Sequence, residues 1–191
     1  MSLTELKYII NQKVTIESYQ STFVILNVDN RTVKITLNNK KEFWIKNKGN
    51  APLKYFESHP LLLDYNYSFE TVYLNSKVDN IDNFIIDFKK AIDDKTQGWR
   101  DWKKYIVQEN FFTFDTFKKN LLDGSGRLID APNIITKNIV EVCEKLGVKV
   151  KISEPLSSRI PEYKLLMIGN NYIIAKEFKI QPNKIYTVDK Q

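Results

Sequence analysis

Residues 23–37 read FVILNVDNRTVKITL, two β-rich runs separated by a short polar pair. The runs are Phe23 to Val28 and Thr32 to Leu37, and the pair is Asp29-Asn30, whose side chains tolerate the positive φ of a tight hairpin turn. In the second run Val33, Ile35 and Leu37 alternate with Thr32, Lys34 and Thr36, the two-residue period of a strand with one face inside and one in water. Val14-Thr15-Ile16 before these runs, and Glu42-Phe43-Trp44-Ile45 after Asn38-Asn39, extend the pattern to a four-stranded antiparallel meander. On strand count alone, such a meander can curl into a small SH3-like or Sm-like barrel.

Outward from the meander, helical signals take over. Ser2 and Glu5 stand at capping-box spacing ahead of Leu6, Ile9 and Ile10, which predicts a brief helix over 3–11. On the other side, Lys46 to Asn50 followed by Ala51-Pro52 reads as a linker. It divides the chain into a meander subdomain, 1–50, and an α+β subdomain, 51–191, with one continuous domain as the alternative. His59-Pro60 stops any helix begun at Leu53, and Phe69 to Asn75 is a strand about Val72 and Leu74. Asp79 caps a helix whose buried stripe is Ile81, Phe84, Ile85, Phe88 and Ile92, closed by Gly98. Trp99, Trp102 and Ile106 at helical spacing, then Thr113 to Leu122 up to Gly124, predict two linked helices. Asp130 and Pro132 cap a further helix with Ile135, Ile139, Val142, Cys143 and Leu146 on one stripe up to Gly147. Val148, Val150 and Ile152 form a strand, and Tyr163 to Ile168 with Tyr172 to Phe178 form a hairpin about Gly169-Asn170-Asn171. The fold class is α+β: an N-terminal antiparallel β-meander, then a helix-rich α+β unit ending in a helix and an antiparallel hairpin. The strand and hairpin after that last helix make a three-stranded unit.

Composition excludes several classes of protein. Hydrophobic residues are 42% of the 191 and charged residues 27%, which is enough apolar material for a packed core and argues against disorder. Cys143 is the only cysteine, so no intrachain disulfide exists and a reducing compartment fits. The N-terminal residues lack the pattern of a secretory signal, and no apolar run reaches the roughly 20 residues of a bilayer span. These observations predict a cytoplasmic protein with no membrane partner. Net charge is +6, and residues 1–58 hold 9 basic against 5 acidic side chains, which favours a polyanionic partner.

For chemistry, the sequence offers few residues. His59 is the only histidine, which excludes a His-based metal centre or a two-His dyad. Cys143, between Val142 and Leu146 on an apolar stripe, reads as a buried thiol rather than a nucleophile paired with His59. Gly124-Ser125-Gly126-Arg127 reads first as a helix cap, with a backbone anion site at Ser125 and Arg127 as the alternative. Glu162-Tyr163-Lys164 and Glu177-Phe178-Lys179 match the strand triplets with which metal-dependent nucleases hold Mg²⁺. Such a site further needs Glu154 or Asp130. Alternating charges on a solvated strand produce the same pattern. The stretch from Ile139 to Phe178 resembles the layout of a phospholipase-D-type half-site. Glu162 stands where that family places a His two residues before its Lys, so the nucleophile is missing here.

Basic and aromatic residues interleave twice. Trp99, Arg100, Trp102, Lys103 and Lys104 form one set, in which rings suit stacking on bases and cations suit phosphates. The same stretch also reads as an ordinary amphipathic helix. Lys40, Lys41, Lys46 and Lys48 about Phe43 and Trp44 form the other. The binding candidates are Trp44, Lys41, Trp99, Arg100, Trp102, Lys103, Lys104 and Arg127. No catalytic residue, metal or cofactor is assigned. The expected function is a non-enzymatic binding module contacting nucleic acid. The alternatives are a protein-interaction role, as complex subunit or inhibitor, and, third, a metal-dependent nuclease centred on Glu162 and Lys164.

Overall fold

The computed structural model describes residues 6–107, 112–155 and 159–181. The fold is mixed α+β with antiparallel sheets. It forms two compact units, the first from Met1–Leu62 with Glu162–Gln191 and the second from Leu63–Pro161. Among the described residues no helix is long and apolar enough to cross a membrane.

In the first unit, β1 (Lys13–Gln20), β2 (Phe23–Val28) and β3 (Arg31–Asn38) pair antiparallel in sequence order. The turn between β2 and β3 uses Asp29 at φ 48° and Asn30 at φ 63°, the left-handed geometry that these residue types accept. The fourth run, β4 (Glu42–Trp44), leaves the meander, because Asn39 at φ 50° redirects the chain after β3. Its partner is β10 (Asn171–Ala175), which follows β9 (Lys164–Ile168) through the expected hairpin. The free edge of β3 is taken by β11 (Glu177–Gln181). The segment after Asn50, read as a linker at Ala51-Pro52 with any helix begun at Leu53 stopped by His59-Pro60, is instead a strand, β5 (Ala51–Phe56), paired with β1 and β9.

The resulting eight-stranded order is β11-β3-β2-β1-β5-β9-β10-β4. At one place two strands turn together. Asn38 pairs with Glu177, and Glu42 pairs with Ile174. Across the bend Lys176 N donates to Asn38 O at 3.1 Å, and Lys41 N donates to Ile174 O at 2.8 Å. Thus β3–β4 and β10–β11 form one ribbon that turns a corner at Asn39–Lys41 and at Lys176. Folding there lets both halves fill a shared core, Val14, Ile16, Val24, Leu26 and Ile35 from one and Leu53, Leu166, Ile168 and Ile173 from the other. The end strands β11 and β4 do not pair with each other, so the four-stranded barrel that the meander suggested is replaced by a folded, unclosed sheet. Before β1, Leu6–Tyr8 make a 3₁₀ turn where a helix over 3–11 was expected, and the Ser2–Glu5 capping box lies outside the described residues.

The second unit packs helices on a three-stranded sheet with β6 (Phe69–Leu74) between β7 (Gly126–Pro132) and β8 (Val150–Ile152). The helices are α1 (Leu63–Asn66), α2 (Ile81–Thr96), α3 (Phe114–Asp123) and α4 (Asn133–Lys145). Helix α2 buries Phe84, Phe88 and Ile92 of its predicted stripe and Ala91 besides, with Ile81 and Ile85 half-buried, and its cap is Asn80 rather than Asp79. The Asn80 side chain accepts from Asn83 N at 3.1 Å. Of the two helices expected over 98–122, the first is a 3₁₀ turn at Trp102–Tyr105 and the second is α3. Gly124 ends α3 at φ 69°, and a Cβ there would lie 2.3 Å from Lys77 N, so both conformation and space require glycine.

Asp130 does not cap α4. It lies within β7, and Pro132 occupies the cap position without a side-chain bond, because Leu128, Ile129 and Ala131 are drawn into the core as a strand. The expected C-terminal three-stranded unit also separates. β8 pairs with β6, whereas β9 and β10 pair with β5 and β4 in the first unit, so the phospholipase-D-like layout is not formed.

Candidate nucleic-acid interface

The corner of the first unit gathers cations and rings. Lys41 and Lys176 place their ammonium groups 5.7 and 5.6 Å from the centre of the Tyr163 ring. These residues, with Asn39 and Lys40, line an open recess of about 250 Å³. Lys40 also lies 5.4 Å from the Phe43 ring, which packs 5.1 Å from Tyr19. Just beyond β4, Lys46 sits 5.0 Å from the ring of Trp44. Successive residues of a strand face opposite ways, so Phe43 turns to the core and Trp44 stands 49% exposed. Glu162 forms an ion pair with Lys176, and that hydrogen bond raises the lysine pKa, keeping it charged.

Asn171 fixes the segment that carries Lys46. Its side chain is buried, its Oδ1 accepts from Lys46 N at 2.9 Å, and its Nδ2 donates to Asn47 O at 3.1 Å. Asn47 in turn accepts from Gly49 N at 3.0 Å, so the segment between β4 and β5 is held by a connected set of bonds.

Of the second basic-aromatic set, Arg100 and Lys104 are turned to a different use. Both pair with the buried carboxylate of Asp64, at 3.3 and 2.5 Å, and Tyr105 donates its hydroxyl to the same group at 2.8 Å. Trp102 packs edge-on against Phe88 and Phe114 at 6.2 and 5.8 Å, within the core of the second unit. Lys103 is exposed and lies 5.3 Å from the Phe114 ring, and Trp99 is 38% exposed. Arg127, on β7, stacks 4.2 Å from the Phe112 ring, and burial lowers its pKa. The structure brings together Lys41 with Lys40 at one recess and Arg100 with Lys104 at one carboxylate. Tyr163, Lys176, Tyr19 and Asn171 were not among the binding candidates read from the sequence. The folded ribbon draws in Tyr163 and Lys176, ring contact with Phe43 draws in Tyr19, and side-chain bonds to Lys46 and Asn47 draw in Asn171.

The remaining chemical candidates have structural partners. His59 Nδ1 accepts from Leu61 N at 3.1 Å, capping the turn at Pro60–Leu62, and burial lowers its pKa from 6.5. As pH falls through 6.5 the unfolded chain therefore takes up a proton before the folded chain does, and stability falls until the lower folded pKa is passed. Urea midpoints measured from about pH 7.5 to about pH 5.5 should fall more for the wild type than for His59→Asn, which retains an acceptor but does not titrate. Equal falls would contradict this assignment. Cys143 is buried, and burial together with Glu144 pushes its thiol up to about 12, so it is protonated at neutral pH. Lys164 pairs with Glu57 at 3.2 Å, and Glu177 pairs with Lys179 at 3.0 Å. Among the described residues no three His, Cys, Asp or Glu side chains converge to hold a metal.

No protein-family model, curated protein or solved structure matches this chain.

Proposed function

We propose that this chain is a non-enzymatic nucleic-acid-binding module and that the corner of the first unit is its contact surface. The observation that carries the reading is the pair of ammonium groups, of Lys41 and Lys176, held 5.7 and 5.6 Å from the Tyr163 ring, with Lys40 beside them on the same recess. Cations held against aromatic rings in an open recess suit a phosphate backbone, because they neutralise charge while the rings offer stacking surface. The large exposed apolar side chains favour this over a protein partner. Among them, Tyr8 lies on the 3₁₀ turn before β1, Tyr73 on β6, Ile86 on α2 and Leu122 on α3, each on its own element. A lone buried thiol suits a reducing compartment such as the cytoplasm.

The test is fluorescence anisotropy of a labelled oligonucleotide against salt. Neutralising three phosphates of a single strand gives a slope of log affinity on log salt of about −2. Binding that is absent at low salt, or indifferent to salt, would end this reading.

A further inference from the structure

Trp44 on β4 and Tyr172 on β10 are direct cross-strand partners, so their side chains stand side by side on one sheet face. From the half-buried Tyr172 the register passes to Met167, which is buried, and on to the exposed Lys54. Lys46 flanks the pair at Trp44, 5.0 Å from its ring. Core packing does not account for Trp44, since its neighbour Phe43 takes the inward position and Trp44 keeps 49% of its surface in water. Edge protection does not account for it either. A short edge strand is guarded by charge and twist, for which lysines suffice, and an exposed indole works against that purpose.

We infer that the site takes single-stranded nucleic acid, with bases on Trp44 and Tyr172 and phosphates on the neighbouring lysines. This rests on the nucleic-acid reading above and narrows it. A duplex hides its base faces in its own stack and offers the site only phosphates, whereas a single strand can lay unpaired bases on the two rings. The distinction lies in the rings, not in the charge.

The full chain would be titrated with a labelled oligothymidine of about 12 nucleotides and with a duplex of the same length. Wild type and Trp44→Ala would be compared at one salt concentration. Trp44→Ala removes an exposed ring, and Tyr172→Leu provides a second variant on the same face. Expected is a preference for the single strand of about tenfold or more. Each variant should lose about fivefold or more on the single strand and little on the duplex. Equal binding of both probes, with neither variant altering either, would overturn the single-strand assignment while leaving phosphate binding intact. Binding of neither probe would remove the underlying reading and this one with it.

Discussion

Replacing Asp64 by Ala should lower folding stability by about 3–5 kcal/mol, the cost typical of stripping one partner from a buried ion pair. The carboxylate is 7% exposed and holds Lys104 at 2.5 Å and Arg100 at 3.3 Å, while Tyr105 donates to it at 2.8 Å. Arg100 sets the size of the effect. Its side chain is only 10% exposed, so without Asp64 a guanidinium is left desolvated and uncompensated. Lys104, with its side chain 48% exposed, can return to water and contributes little. Burial and then Asp64 raise the Tyr105 pKa, so its hydroxyl remains a donor at every physiological pH. The main chain of the same residue holds Arg159, whose Nη1 donates to the backbone O of Asp64 at 2.6 Å, an acceptor that Asp64→Ala leaves in place. Denaturant midpoints of wild type and Asp64→Ala, at unchanged m-value, measure the difference. A loss under about 1 kcal/mol would mean that the cluster is incidental to the fold.

That cluster shows why the sequence was legible in some places and not in others. Helix α2 was readable because Ile81, Phe84, Ile85, Phe88 and Ile92 recur at helical spacing, a local property. The hairpin at Gly169 was readable for the same reason, with a turn signal between two apolar runs. By contrast, Asp64 and Lys104 are 40 positions apart, and no local pattern announces their pairing. Arg100 and Lys104 were expected at a binding surface because their charge was visible and their partner was not. Strand β7 was missed because Asp130 and Pro132 imitate a helix cap, although burial of Leu128, Ile129 and Ala131 wins over that local signal. Strand β4 was correctly read as extended and wrongly partnered, since the edge it joins belongs to residues more than a hundred positions later. The candidate site was legible in part. Lys41 and Trp44 stood out in sequence, but Tyr163 and Lys176 become its members only when the ribbon turns its corner.

Exchanging Lys40→Glu, Lys41→Glu and Lys176→Gln together should reduce affinity for a labelled oligothymidine by about 100-fold or more at low salt. Three favourable charges are removed from one recess and two repulsive ones put in their place, whereas the chain's hydrophobic core is untouched. Gln at position 176 avoids setting a second carboxylate against Glu162, its present partner. The informative comparison is with Lys89→Glu and Lys90→Glu on the exposed face of α2, a nearly equal change in net charge placed elsewhere. Anisotropy titrations of wild type, the corner variant and the α2 variant on one probe at one salt concentration therefore test the proposed nucleic-acid interface directly. The corner variant should lose binding by about 100-fold and the α2 variant by no more than about threefold. Equal losses in both, or undiminished binding by the corner variant, would contradict the placement of the interface at the Lys40–Lys41–Lys176 recess.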